Sequence, residues 1–185
     1  EMKLFHERQY VGENCTLSIA GVIPEGIKSI INNSKLNSLG AGSQEKGFNI
    51  KPIFKKGYKK KLIPRIEGGR ILKAWELAPA NEQLLVLGAD IATTILSEGR
   101  TSYMVRRLRE ELQIVESIEM DLHILEKGGL VLLEVCCPTE NITKVENEIN
   151  KILLHSISQV ISDLDLERAK QLVKNNIYYG TELSS

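Results

Sequence analysis

Two runs of apolar and β-branched residues, 114–125 and 130–137, meet across Glu126-Lys127-Gly128-Gly129. Glycine lets the backbone reverse within a few residues, and a reversal between two strand-forming runs is a β-hairpin. The first run carries Val115, Ile118, Met120, Leu122 and Ile124; the second ends at Cys136 and Cys137, with Pro138 closing it. Whatever else the chain forms, it contains an antiparallel strand pair.

The surrounding patterns fix what packs on that pair. Residues 71–77 read as a strand, and Pro79 and Ala80 open a helix with the apolar stripe Leu84, Leu87, Gly88, Ile91 and Ile95, ended by Gly99. Ser102 caps a second helix through Leu112. After Pro138-Thr139 a helix turns Ile142, Val145, Ile149, Ile152 and Leu153 inward, and Ser162-Asp163 starts another through Leu166, Ala169, Leu172 and Val173. The order strand, helix, helix, strand, strand, helix, helix predicts an α+β fold, an antiparallel sheet with helices packed on one face.

Upstream the signal is thinner. Residues 15–21 alternate apolar and small polar side chains like a half-buried strand, and a short helix follows Pro24 with Ile27, Ile30 and Ile31 in phase. From Asn37 to Gly69 periodicity vanishes and Gly and Pro accumulate, as in a connector. It holds Lys51, Lys55, Lys56, Lys59, Lys60, Lys61 and Arg65 with Phe54 and Tyr58 interleaved, a pattern that also suits single-stranded nucleic acid. Because 24 basic and 24 acidic residues cancel over the whole chain, a solvated linker is the expected reading, with neither nucleic acid nor membrane as partner.

Three cysteines, two of them adjacent, make no disulfide framework and suggest the cytoplasm or another reducing compartment. Glu1 is no translation start and Ser184-Ser185 follow a helical pattern without a stop, so the chain reads as a piece of a longer polypeptide.

Catalytic signatures are missing. His6, His123 and His155 stand apart from metal-ligand spacing, both zinc-peptidase histidine motifs are absent, and so are the nucleophile elbow, the phosphate loop and the dinucleotide glycines. No catalytic residue and no metal ligand is therefore assigned. The densest polar cluster is Arg100, Arg106, Arg107, Arg109, Glu110 and Glu111, where Arg107 and Glu111 form an i, i+4 pair and Arg109, near the start of the following strand, can project toward a ligand over the sheet.

Four segments in order carry a resemblance. Tyr10-Val11-Gly12-Glu13-Asn14-Cys15-Thr16-Leu17 is similar to a Tyr-x-Pro-x-Asn-Met-x-Leu strand. Gly99-Arg100-Thr101-Ser102 followed by Leu108-Arg109-Glu110 resembles a Gly-x-Ser-Ser turn and Leu-Arg-Glu helix. Gly128-Gly129-Leu130 matches a hairpin turn, and the stretch from Leu164 to Lys170 resembles a Glu-Leu-x-x-Ala-Lys helix. All belong to the C-terminal, non-zinc domain of the insulinase/pitrilysin-type zinc metallopeptidases, which include mitochondrial processing peptidase.

The resemblance implies a two-layer metallopeptidase-like domain. Residues 1–36 would be the terminal strand and helix of a preceding zinc-type domain, 37–65 a linker, and 66–185 a truncated C-terminal domain. The implied partners are a zinc-bearing N-terminal domain or partner subunit, an extended peptide substrate and, as a further candidate, a second copy in a dimer. Zinc is implied for the parent protein, with none in this chain. Active members place an Arg and, seven residues later, a Tyr near the zinc, the first donating to a peptide carbonyl and the second to the oxyanion. Arg109 matches the Arg; Glu116 stands at the Tyr position, where a carboxylate repels developing negative charge. Arg109 is thus the candidate substrate-binding residue, and a structural Arg109–Glu116 ion pair is the plainer alternative. The resemblance implies a role in peptide binding and closure over a zinc site elsewhere, with this chain inactive alone; a non-catalytic structural or interaction module of the same fold is the runner-up.

Overall fold

The computed structural model describes residues 1–42 and 52–182. Close contacts divide the chain into two units, Glu1–Asn49 and Ile50–Ser185.

In the first unit, helix α1 (Met2–Gln9) is followed by an irregular stretch and helix α2 (Ile27–Asn32). Gly12 N–H donates to Gly40 O (3.1 Å), and the Glu13 carboxylate accepts from Gly42 N–H (2.8 Å), bringing residues 12–13 and 40–42 together beside buried Val11. The expected strand over residues 15–21 is not formed; these residues carry no regular structure and are exposed, Leu17 and Ile19 among them. Alternation gives a segment a strand's two faces, but a strand also needs a neighbour to take its backbone hydrogen bonds, and among the described residues none lies alongside.

The second unit is built on three strands: β1 (Gly69–Leu77), β2 (Ser117–Leu125) and β3 (Gly128–Cys137), in the order β1-β3-β2 and antiparallel throughout. The hairpin turns where the sequence predicts it, with Leu125 opposite Gly128. A side chain at Gly129 would strike the His123 carbonyl oxygen at 2.6 Å, so the strands can approach there only without a Cβ.

Register sorts the sheet's faces. Ile71, Ile118, Leu133, Val135 and Cys137 share the inner face and are buried, whereas Arg70, Leu72 and Glu134 point the other way, with Leu72 exposed and Arg70 paired to Glu134 at 2.8 Å. Helix α4 (Ile142–Ser158) covers the inner face with Val145 and Ile149 in the core and Ile142, Ile152 and Leu153 packed beside them, the phase read from the sequence. Lys73 reaches from β1 to α4, donating to Glu146 and Asn150, both at 3.2 Å. Helices α3 (Gln83–Ser97) and α5 (Asp163–Glu182) complete the helical layer and contact each other, α3 also meeting β2. Among the described residues no helix is long and apolar enough to cross a membrane.

Two elements depart from their predicted form. On α3 only Ile95 of the expected stripe is deeply buried; Leu84 is 87% exposed and Leu87 is exposed too, while Thr93 and Thr94 turn inward. Their hydroxyls are satisfied locally, Thr93 Oγ1 donating to Asp90 O (3.0 Å) and Thr94 Oγ1 to the Glu98 carboxylate (3.1 Å), which removes the penalty for burying them. The helix expected from Ser102 widens into a π-helical turn over Val105–Glu111, with Leu112 N–H bonded to Arg107 O (3.0 Å). Met104, Val105 and Leu108 anchor that turn in the core.

Candidate functional site

A groove of about 590 Å³ runs along β2, which has a sheet neighbour on one side only. Its strand wall is five consecutive residues, Ile118, Glu119, Met120, Asp121 and Leu122. Side chains of a strand alternate between faces, so an unbroken run lining one groove means that the groove lies along the strand's edge, where alternate backbone N–H and C=O groups point away from the partner strand. Toward the hairpin, the Leu125 carbonyl already accepts from Ala80 N–H at 3.0 Å.

The opposite wall is one face of α3, with Asp90, Thr93, Thr94 and Ser97 at helical spacing. The Glu98-Gly99-Arg100 turn closes one end. Gly99 takes φ = +80°, a conformation that favours glycine, and Ser102 Oγ donates back to its carbonyl at 2.7 Å. Glu98 is held from α5: Arg168 Nη1 donates to its carbonyl and Asn176 Nδ2 to its carboxylate, each at 3.2 Å. Nε and Nη2 of Arg168 are buried with no partner among the described residues.

Arg109 lines the groove from the π-helical turn. Its guanidinium meets Glu110 at 3.2 Å, and Arg100 binds the other oxygen of that carboxylate at 2.8 Å. Arg100, and then Arg109, hold the Glu110 carboxyl below its usual range. Glu116 is exposed and does not line the groove. No ion pair joins it to Arg109 among the described residues, so that structural alternative is not realised. The cause is local: Glu116 N–H bonds to Cys136 O (2.8 Å) while the ladder pairs Ser117 with the same Cys136, so two residues of this strand oppose one. Such a bulge redirects side chains. Glu116 acts instead on Cys137, whose thiol is pushed above its usual range first by burial and then by the charges of Cys136, Glu116 and Glu140. Cys137 is buried, Cys136 partly so, and Cys15 exposed; all are free.

The sequence points to Arg109 but not to the α3 face opposite it. Asp90, Thr93 and Ser97 recur at helical spacing and were hidden by the stronger apolar stripe.

Among the described residues no three His, Cys, Asp or Glu side chains are grouped to hold a metal ion, so the residues present do not fit a zinc.

An antiparallel sheet with helices on one face and a groove along its free edge makes a two-layer α+β domain. The sequence profile described as the peptidase M16 inactive domain matches residues 1–173, and the chain belongs to that family. Its fold is similar to the crystal structure of a peptidase M16 inactive domain from Pseudomonas fluorescens (TM-score 0.69, 11% identity, 96% of this chain covered). It is also similar to that of a protease from Helicobacter pylori (TM-score 0.68, 14% identity, 100% covered). The chain spans 43% and 45% of those two chains, respectively. No curated protein matches it.

Proposed function

We propose that the groove receives an extended peptide as an added strand on β2, with Arg109 donating to a peptide carbonyl. The chain then serves as the non-zinc, C-terminal part of an insulinase-type metalloendopeptidase or processing peptidase. It contributes substrate binding and closure over a zinc site on another domain or subunit, and by itself hydrolyses nothing. The free cysteines favour the cytoplasm or another reducing compartment.

The observation that carries this reading is the run of residues 118–122 along one groove wall, opposite a helix face and beside an arginine. Main-chain hydrogen bonding to an exposed edge gives affinity for extended peptides of varied sequence, and side-chain contacts then select among them. Glu116 favours a second reading, a catalytically idle interaction module, because it supplies no neutral hydroxyl and stands outside the groove.

Titration of a fluorescent extended peptide against the wild-type chain and Arg109→Ala tests the proposal. One lost charge-assisted hydrogen bond weakens binding by roughly ten- to a hundredfold. Melting should shift little, because the Arg109–Glu110 pair is exposed and its attraction is screened by solvent. Equal affinity of the two proteins would refute the role of Arg109.

A further inference from the structure

Residues 52–68 are exposed without exception, and their main chain makes one internal hydrogen bond, Ile66 N–H to Ile63 O at 3.2 Å. Pro52 lies against the hairpin, its Cγ 2.7 Å from where a Cβ on Gly128 would stand, and Gly69 pairs with Cys137 at the far end of β3. The segment therefore travels the length of that ten-residue strand, about 30 Å, without joining the sheet. It carries Lys55, Lys56, Lys59, Lys60, Lys61 and Arg65, none in an ion pair among the described residues.

The groove has the opposite character. Asp90, Glu98, Glu119 and Asp121 line it, and its two arginines are both engaged by Glu110. The Asp90 carboxyl is held above its usual range by burial and then by the charge of Glu98. An exposed, unpaired, cationic segment and an anionic groove along an unpaired strand edge thus occur on one chain. Neither meets the other within it, since no residue of the segment lines the groove.

We propose that the lysine-rich segment of one copy docks in the β2 groove of a second copy, so that the chain self-associates and covers its own peptide site. This rests on the reading of the groove as a site for extended chain. Reciprocal exchange of the two segments closes a two-fold dimer. Outside residues 51–65 the chain carries 17 basic against 24 acidic residues, a net charge of −7, so a bilayer or a nucleic acid is repelled by the remainder of the chain. The acidic groove of a second copy presents complementary charge over a short span. Substrate peptide and segment then compete, and concentration or salt sets how much of the site is open.

Sedimentation velocity on the whole chain tests this without any peptide, so its failure leaves the peptide reading standing. The wild type should form a dimer at about 100 µM protein in about 50 mM salt, with affinity falling tenfold or more by about 500 mM salt. Lys59→Glu, Lys60→Glu and Lys61→Glu together should give a monomer; this variant alters only exposed residues outside any helix or strand. Glu119→Lys with Asp121→Lys should also give a monomer. An equimolar mixture of the two variants should associate again, because each then offers the other a complementary charge. A wild type monomeric in low salt, a segment variant that still dimerises, or a mixture that stays monomeric would each overturn the proposal. So would a monomeric wild type that binds anionic vesicles or single-stranded RNA through the same lysines.

Discussion

Gln113 adopts φ = 49°, the one described non-glycine residue in the left-handed region, at the step between the π-helical turn and the buried pair Ile114 and Val115. An L-residue there meets its own carbonyl, at a cost of about 1–2 kcal/mol that glycine avoids. Gln113→Gly should therefore stabilise the chain by about 0.5–1 kcal/mol, after the extra freedom glycine gains when unfolded. The measurement is a higher urea midpoint at unchanged slope; an equal or lower midpoint would contradict the strain. At this scale the sequence was informative about chemistry and less so about direction. Arg109 and Glu116 stand out through the resemblance, which places an Arg and a Tyr seven residues apart, but only the π-helical turn and the extra residue at Glu116–Ser117 send one into the groove and leave the other outside.

At the scale of the element, α5 starts as its residues predict. Asp165 N–H donates to Ser162 Oγ (3.1 Å), the Ser162 hydroxyl donates to the Asp165 carboxylate (2.8 Å), and Tyr103 adds a third bond from the π-helical segment's approach (3.0 Å). Ser162 chiefly, with Tyr103 and Arg168 assisting, holds the Asp165 carboxyl below its usual range. A carboxyl depressed in the folded state stabilises fully above its unfolded value near 4, and loses that contribution as pH falls through the folded value. Asp165→Asn should thus cost about 1 kcal/mol at neutral pH, with the difference from wild type closing on acidification below about pH 4. A difference that persists or widens in acid would exclude the cap as its source. The hairpin, α4 and α5 were legible because each has one apolar face and clear terminal residues. Helix α3 was not: Gln-Leu-Leu-Val-Leu-Gly-Ala-Asp-Ile-Ala-Thr-Thr-Ile-Leu-Ser is apolar around most of its circumference, so periodicity selects no face, and threonines that bond to their own helix can be buried in place of leucines.

For the whole chain, zero net charge hides a segregation of charge, cationic along residues 51–65 and anionic elsewhere. That was visible in the sequence, but its meaning depended on the sheet having a free edge with carboxylates beside it. Within the second unit the lysines of residues 55–65 lie in exposed backbone ahead of β1. In dilute protein at about 500 mM salt, where the segment is free, limited trypsin should leave a stable fragment beginning between Lys55 and Arg70. First cuts at Lys144 or Lys151 on α4 would mean that the folded core lies elsewhere. The central claim, that the edge of β2 takes an extended peptide, is tested most directly by amide hydrogen exchange of that strand with and without an excess of a neutral extended peptide. Exchange should slow at residues 118–122, and far less so in Arg109→Ala. Unchanged exchange across β2, with protection confined to other elements, would contradict it.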